Sequence, residues 1–349
     1  MEGGDVKTES YMGSLMCGDE PNCKGGSTMR RRKIIGVLLT GLCLLFLAPG
    51  LLLADDYPNK PLTCIIPFSA GGTHDLTARV FTSIIPHYLG QPVVVKLMPG
   101  AGGQRGTAAA VRAKPDGYTL LFSNKFVDQL QPLIEKLPYD TTKSLVAVWR
   151  LNYSPGGPVS LATKPWKTLK DLLDWAKANP GKLKVGHSGK WGTSFTWAAQ
   201  LFSEADAEVR FLGYQGGGPS TQALLAGETD LSMSMPILQI GNYKAGKVRI
   251  YAFYGDKRLK EFPDVPTLKE LGYKSELTMD RVIFVPRGVP ENRLKILREA
   301  LLKLNKDKTY INMMAKLGEN NEYMDGPEYE KMRLEYKKEF QALIKKLGQ

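Results

Sequence analysis

The apolar run Leu62–Ile66 followed by Pro67-Phe68-Ser69-Ala70-Gly71-Gly72-Thr73-His74-Asp75 constrains the fold of this chain more than any other stretch. A run of strand length meets a glycine turn, and a helical pattern begins near Asp75. Strand, turn and helix in that order open a βαβ unit, which needs a parallel partner strand and cover for its sheet. Glycines let the backbone approach a bound group closely. The first N–H groups of a helix have no internal partner, so a carboxylate or phosphate can accept from them. The same residues also read as an ordinary tight turn with Asp75 as the helix N-cap, and local sequence leaves the two readings level.

The alternation continues downstream. A strand at Pro92–Lys96 passes through the glycine turn Pro99–Gly106 into an alanine-rich helix ending near Ala113, and Pro115-Asp116-Gly117 turns the chain into a third strand, Tyr118–Phe122. These connections suit a parallel sheet. The segment Val146–Ala162 contains Ser154-Pro155-Gly156-Gly157-Pro158 and reads as a passage to a second β/α set. There, Thr168 and Asp171 form a capping box for a helix to Ala178. Lys182–Gly186 is a strand, Gly192-Thr193-Ser194 opens a helix through Phe202, Ser220–Ala226 is a short helix, and Leu231–Met235 and Val248–Phe253 are strands. Val282–Pro286 carries the chain back to the first set, and two core-covering helices close it, Glu291–Leu304 and Pro327–Leu347.

Ahead of the first strand, Met29-Arg30-Arg31-Arg32-Lys33 and the apolar run Ile34–Leu47 have the form of a secretory signal peptide, with Leu52-Leu53-Ala54 as a cleavage site before Asp55. Met29 is the expected initiator, and residues 1–54 are expected to be absent from the mature protein. Leu42 before Cys43 is not the small residue that a lipidated cysteine wants, which disfavours a lipoprotein anchor. The expected location is the periplasm. Of four cysteines only Cys64 remains after cleavage, as a buried small hydrophobe. The three histidines, His74, His87 and His187, show no metal spacing, and no metal or cofactor is expected. The formal charge of +12 is scattered rather than blocked; together with export this argues for anionic ligands or a negatively charged surface and against nucleic acid.

Two segments imitate enzyme motifs. Gly100-Ala101-Gly102-Gly103-Gln104-Arg105-Gly106 resembles a dinucleotide fingerprint, but Arg105 stands at the last glycine position and no acid ends the following strand. Gly186-His187-Ser188-Gly189-Lys190 begins like a hydrolase elbow, but Lys190 replaces the final glycine and His187 is adjacent to Ser188. No catalytic residue is assigned.

The ordered motifs Tyr57-Pro58-Asn59-Lys60-Pro61, Pro67–Asp75, Leu89-Gly90-Gln91-Pro92-Val93, Pro99–Gly103, Pro115-Asp116-Gly117-Tyr118, Asn179-Pro180-Gly181, Gly216-Gly217-Gly218-Pro219 and Phe262-Pro263-Asp264-Val265-Pro266 resemble those of the tripartite tricarboxylate transporter solute receptors, the Bug or TctC-type family. The resemblance covers Tyr57 to Gly348. It implies an α/β, two-lobed periplasmic binding protein of type II, a Venus flytrap with hinge crossovers. Lobe 1 would be residues 55–157 plus 282–349 and lobe 2 residues 158–281. It also implies a monomer that captures a small organic carboxylate and delivers it to a permease of large and small membrane subunits, without catalysis. A ligand-sensing accessory of a two-component sensor kinase, or an exported enzyme, are the alternatives. The family's first carboxylate loop maps onto Phe68, Ser69, Ala70, Gly71, Gly72, Thr73 and Asp75, with Asp75 capping the helix and orienting a water. Gly192, Thr193 and Ser194 match its second-lobe segment, and Ser123, Asn124, Gly216 and Gly217 are expected to line the cleft at strand ends.

Three departures from the family pattern bear on the ligand. His74 follows Thr73 where a glycine and then threonine, serine or tyrosine is commoner; it either donates to an anion, charged near neutral pH, or points to solvent. Trp191 and Trp197, with Met233 and Met235, either line an apolar pocket for an aromatic or longer acid or pack the core. Arg281 either grips a ligand carboxylate or pairs with Asp280 or another acid.

Overall fold

The computed structural model describes residues 56–347, so the expected signal peptide and its cleavage site lie outside the described residues. The strands are β1 (Leu62–Ile66), β2 (Val93–Leu97), β3 (Thr119–Asn124), β4 (Leu145–Ser154), β5 (Gly157–Leu161), β6 (Lys184–His187), β7 (Arg210–Gly213), β8 (Leu231–Ser234), β9 (Val248–Ile250), β10 (Met279–Pro286) and β11 (Met324–Asp325). The helices used below are α1 (Thr73–Ile84), α2 (Gln104–Val111), α3 (Leu169–Ala178), α4 (Thr193–Glu204), α5 (Gly217–Leu225), α6 (Pro236–Lys244), α7 (Glu291–Asn305), α8 (Lys308–Lys316) and α9 (Gly326–Lys346).

Two sheets result. The first is six-stranded in the order β11-β4-β10-β3-β1-β2, the second five-stranded in the order β7-β6-β8-β5-β9. Within each, the βα units give the parallel pairs, β1 with β2 and β3, and β6 with β7 and β8. The first sheet is not purely parallel as the sequence suggested. The chain re-enters it from the second sheet, so β10 runs antiparallel between β3 and β4. The passage Val146–Ala162 is correspondingly two strands, β4 and β5, with only Pro155 and Gly156 between them. Helix α8 had no counterpart in the sequence reading.

The crossovers lie side by side. Gly156 accepts from the Tyr254 N–H at 2.7 Å, and β10 begins at Met279, opposite Ser154 at the end of β4. There is no space for side chains here. A Cβ on Gly157 would lie 1.8 Å from the Ala252 carbonyl oxygen, and one on Gly156 2.1 Å from the Trp197 ring. Trp197 is fully buried, stacks on Tyr254 at 5.3 Å between centroids and faces Phe126 at 6.5 Å. Phe126 in turn meets Phe340 of α9 at 5.2 Å. One apolar core therefore runs from the second sheet through the crossovers to the C-terminal helix. A second core, with Cys64, Phe81, Phe122 and Leu301, fills the other face of the first sheet. Burial pushes the Cys64 thiol up to about 12, so it stays an unreactive hydrophobe.

The crowding at Gly157 predicts that Gly157→Ala lowers the free energy of unfolding by about 1–3 kcal/mol. Gly241, exposed within α6 with open space where a Cβ would stand, is the control. Gly241→Ala should raise stability by about 0.5–1 kcal/mol. Urea denaturation of both variants checks the pair.

Candidate functional site

The cleft lies beyond the C-terminal ends of β1, β3, β6, β7 and β8, where open α/β sheets place their ligands. Opposing loops from the two sheets touch across it. The Ser69 N–H donates to the Gln215 carbonyl at 3.3 Å. A Cβ on Gly218 would fall 2.9 Å from the Ala70 carbonyl oxygen, and one on Gly189 2.8 Å from Gly102 Cα. The lobes are closed on one another, backbone against backbone. The glycine turn that imitated a dinucleotide fingerprint is part of this contact: Gly102 faces the Lys190 carbonyl, and Gly103 packs on Phe68 and Val127.

Between the lobes lies a partly open cavity of about 40 Å³, measured as the space open to the centre of a water molecule; one water needs roughly 10–15 Å³ by that measure. Phe68, Gly72, Thr73, His74 and Asn124 line it from the first lobe. Ser188, Thr193, Ser194, Gly217, Ser220 and the run Ser232–Met235 line it from the second, with Leu238 of α6. None of these side chains carries a formal charge. A wider opening of about 460 Å³, floored by Gly100–Gly103, His187 and Phe211, shares Phe68 and Ser188 with the cavity and leads outward.

Four helices begin at this cavity, three of them from a glycine and α6 from Met235, and none has a side-chain cap. The N-caps of α1, α4 and α5 are Gly72, Gly192 and Gly216. By contrast, α3, α8 and α9, whose N-termini do not border the cavity, are capped by Thr168, Asp307 and Asp325. An uncapped N-terminus keeps free N–H donors and the positive end of the helix dipole. Gly216 is also conformationally required: its φ is +135°, and a Cβ would strike Ser69 Oγ at 2.7 Å.

Asp75 is not the N-cap. It sits in the first turn of α1, where Oδ2 accepts from the Gly71 N–H at 2.9 Å and Oδ1 pairs with Arg79 at 3.0 Å. Its carboxylate thus braces the glycine loop and takes no place in the cavity lining. Ser69, Ala70 and Gly71 form the lobe contact instead of the lining, and Ser123 is buried in β3 outside it. Asn124 Oδ1 accepts from the Phe126 and Val127 N–H groups, which fixes its side chain at the cavity edge. Ser194 Oγ accepts from the Ser188 N–H at 2.8 Å and pairs with Ser188 Oγ at 2.8 Å. Ser188 is therefore partnered by a serine and not by a base, while His187 Nδ1 accepts from the Gly189 N–H at 3.2 Å.

His74 corrects a further expectation. It neither faces solvent nor carries charge: it is buried, its ring 4.6 Å from Phe68 and 5.3 Å from Phe122. Burial, and then the nearby Arg281 charge, hold its pKa well below the ordinary 6.5, against a hydrogen bond to the Ser123 backbone that acts the other way. Arg281 grips an internal acid instead of lining the cavity. Its Nη1 and Nη2 lie 2.8 and 3.0 Å from the two Glu319 carboxylate oxygens, with Asn152 and Ser154 completing the cluster. Of the aromatic residues singled out in the sequence, Trp197 is core and Trp191 packs on Phe195. Met233 and Met235 do reach the cavity, and Ser188, Ser220, Ser232 and Ser234 join them unforeseen.

Comparison with known proteins agrees with this architecture. Residues 77–349 match the model of the tripartite tricarboxylate transporter family receptor. The chain is 33% identical over 295 residues to the "UPF0065 protein in gbd 5'region" of Cupriavidus necator, covering 84% of this chain and 90% of that protein. Its fold superposes on the periplasmic binding protein BugD with a TM-score of 0.80 at 27% identity, over 84% of this chain and 99% of BugD. MatC from Rhodopseudomonas palustris, solved with bound malate, gives a TM-score of 0.77 at 24% identity over 82% and 100% of the two chains, a likeness of fold. This is a two-lobed solute-binding receptor of the periplasmic binding protein architecture, not an enzyme. It belongs to the tripartite tricarboxylate transporter receptor family, the Bug or TctC type.

Removing one member of a buried ion pair leaves the other charge uncompensated. Glu319→Gln is therefore expected to cost about 3–5 kcal/mol of stability, read by urea denaturation.

Proposed function

We propose that this protein is a periplasmic receptor that closes its lobes, residues 55–157 with 282–349 and residues 158–281, on a small aliphatic carboxylate. It then presents the ligand to the large and small membrane subunits of a tripartite tricarboxylate-type transporter. The observation that carries the reading is the convergence of three uncapped helix N-termini, each begun by a glycine, on a cavity without a charged side chain. Such a site holds an anion by backbone donors and helix dipoles. Gly72, Thr73, Thr193, Ser194 and Gly217 would contact the ligand directly, and the donors come from both lobes, so only the closed form satisfies the whole anion. The volume favours an aliphatic chain over an aromatic one. Membership of the receptor family supports the transport role, the export-type N-terminus supports the location, and MatC with malate is a neighbour holding a small dicarboxylate. Among the described residues no helix is long and apolar enough to cross a membrane, which is consistent with handing the ligand to separate membrane subunits.

A thermal-shift screen against aliphatic, amino-acid and aromatic carboxylates tests the reading. Ligand at a hundredfold excess over its Kd should add about 2.7 kcal/mol to apparent stability, with the response confined to aliphatic acids. Absence of any response, after carried-over ligand is removed by unfolding and refolding, defeats the carboxylate assignment.

Gly218 allows a test of closure itself. It lies in the first turn of α5, and the atoms within 3.1 Å of its Cβ position all belong to Ala70 and Gly71 on the facing lobe. Gly218→Ala should weaken the best-bound acid by about tenfold or more, the equivalent of at least ~1.4 kcal/mol, without lowering the unfolding midpoint of the ligand-free protein. Calorimetric titration and denaturation measure the two effects.

A further inference from the structure

The turn that meets the second lobe at Gly102 is held from its own side by a buried amide. Ala101 adopts φ +47°, a backbone conformation that L side chains rarely take. Within the turn the Gly103 N–H donates to the Gly100 carbonyl at 3.0 Å, and the Gly103 carbonyl accepts from Thr107 Oγ1 at 2.9 Å. Further support comes from the segment after the π-helical turn Phe126–Leu130. Gln131, fully buried, donates from Nε2 to the Gly102 carbonyl at 3.0 Å, and Gln104 at the end of the turn donates to the Glu135 carboxylate. A carbonyl can only accept, so this bond fixes the orientation of the Gln131 amide. Its Oε1 is left buried without a partner.

The other side of Gly102 belongs to the second lobe. A Cβ there would lie 2.9 Å from Gln131 Nε2 and 2.9 Å from the Lys190 carbonyl oxygen, and one on Gly189 would lie 2.8 Å from Gly102 Cα. Gly102 is thus clamped between Gln131 of its own lobe and Gly189-Lys190 of the other. We propose that Gln131 is a positioning residue for lobe closure: it lines neither the cavity nor the wider opening, and it holds the Gly102 peptide where the second lobe presses on it. With the lobes apart, a Gly102 carbonyl deprived of the amide can take a donor from water. With the lobes together, Lys190 brings a second acceptor rather than a donor, so the cost of the missing hydrogen bond falls on the closed form. The inference goes beyond the identity of the ligand and rests on the receptor reading only where affinity is the measurement.

Gln131→Met keeps the length of the side chain and removes both the donor and the orphaned acceptor. In the full chain, freed of carried-over ligand, it should raise the Kd of the best-bound acid about fivefold or more by calorimetric titration, while the urea midpoint of the ligand-free protein holds. Hydrogen–deuterium exchange of the turn's amides should be faster in the same ligand-free variant. Gln131→Glu supplies a readout that a merely structural role would not move, and covers the case in which the methionine variant does not fold. Burial favours its neutral carboxyl, which can donate to the Gly102 carbonyl as the amide does, whereas the ionised form cannot. Its loss of affinity relative to the unaltered protein should therefore be present at about pH 9 and shrink toward about pH 6. An unchanged Kd in Gln131→Met, a loss in Gln131→Glu that does not vary with pH, or weaker binding matched by a fallen urea midpoint overturns the proposal. If no acid binds the unaltered protein, the carboxylate reading fails by itself, and exchange at the turn still decides the role of Gln131: no change in rate there overturns it.

Discussion

A buried anion is stable only where donors face it that have not been committed elsewhere, and this chain leaves such donors at the starts of α1, α4 and α5. Each begins at a glycine that offers no capping oxygen. Of the other helices, α3, α8 and α9 have their first N–H groups met by Thr168, Asp307 and Asp325, while α2, α6 and α7 lack a side-chain cap as well. Uncapped N-termini leave their first N–H donors without a side-chain partner. The scattered excess of lysine and arginine can raise the encounter rate with anions, but it supplies no side chain to the cavity wall. The direct work falls to the backbone.

Backbone chemistry also governs how the lobes meet. Gly216, Gly218 and Gly189 bring the second lobe onto Ser69, Ala70 and Gly102 of the first at distances that exclude a Cβ. A ligand that bridges N-termini from both lobes binds the closed form preferentially and shifts the population toward it. The crossovers behave differently. Gly156 and Gly157 are wedged against Trp197 and Ala252, and the apolar core passes through them.

Strands and helices with clean periodicity were legible in the sequence. β1, the capping box at Thr168 and Asp171, and the opening of α4 at Thr193 lie where the residues put them. β4 was hidden because Arg150 and Asn152 interrupt its apolar run, and tertiary partners explain them. Asn152 bonds Glu319 and Arg281, and Arg150 lies 3.8 Å from Asp280. α8 buries only Tyr310 and Met314, too sparse a stripe to see. At the site, the glycine loops and hydroxyl residues were readable as local chemistry. The serines of β8 were not, since that strand is buried throughout and its alternation does not reveal which side meets the cavity. The sequence left Arg281 between a ligand and an internal acid, and placed His74 wrongly, for one reason: a side chain in sequence has no neighbours, and Glu319, Phe68 and Phe122 reach them only in the folded chain.

Those two corrected residues belong together. Arg281 is the second cause, after burial, that keeps His74 unprotonated. If Arg281 were free to meet a ligand carboxylate, the imidazole beside it would face an anion as well, and protonation would become favourable. Glu319 takes both guanidinium nitrogens of Arg281, and Arg281 does not line the cavity. The result is a cavity wall without a charged side chain, bordered by the glycine-capped N-termini of α1, α4 and α5. Those N-termini are set by the fold, whereas His74 adds one neutral side chain to the first of them.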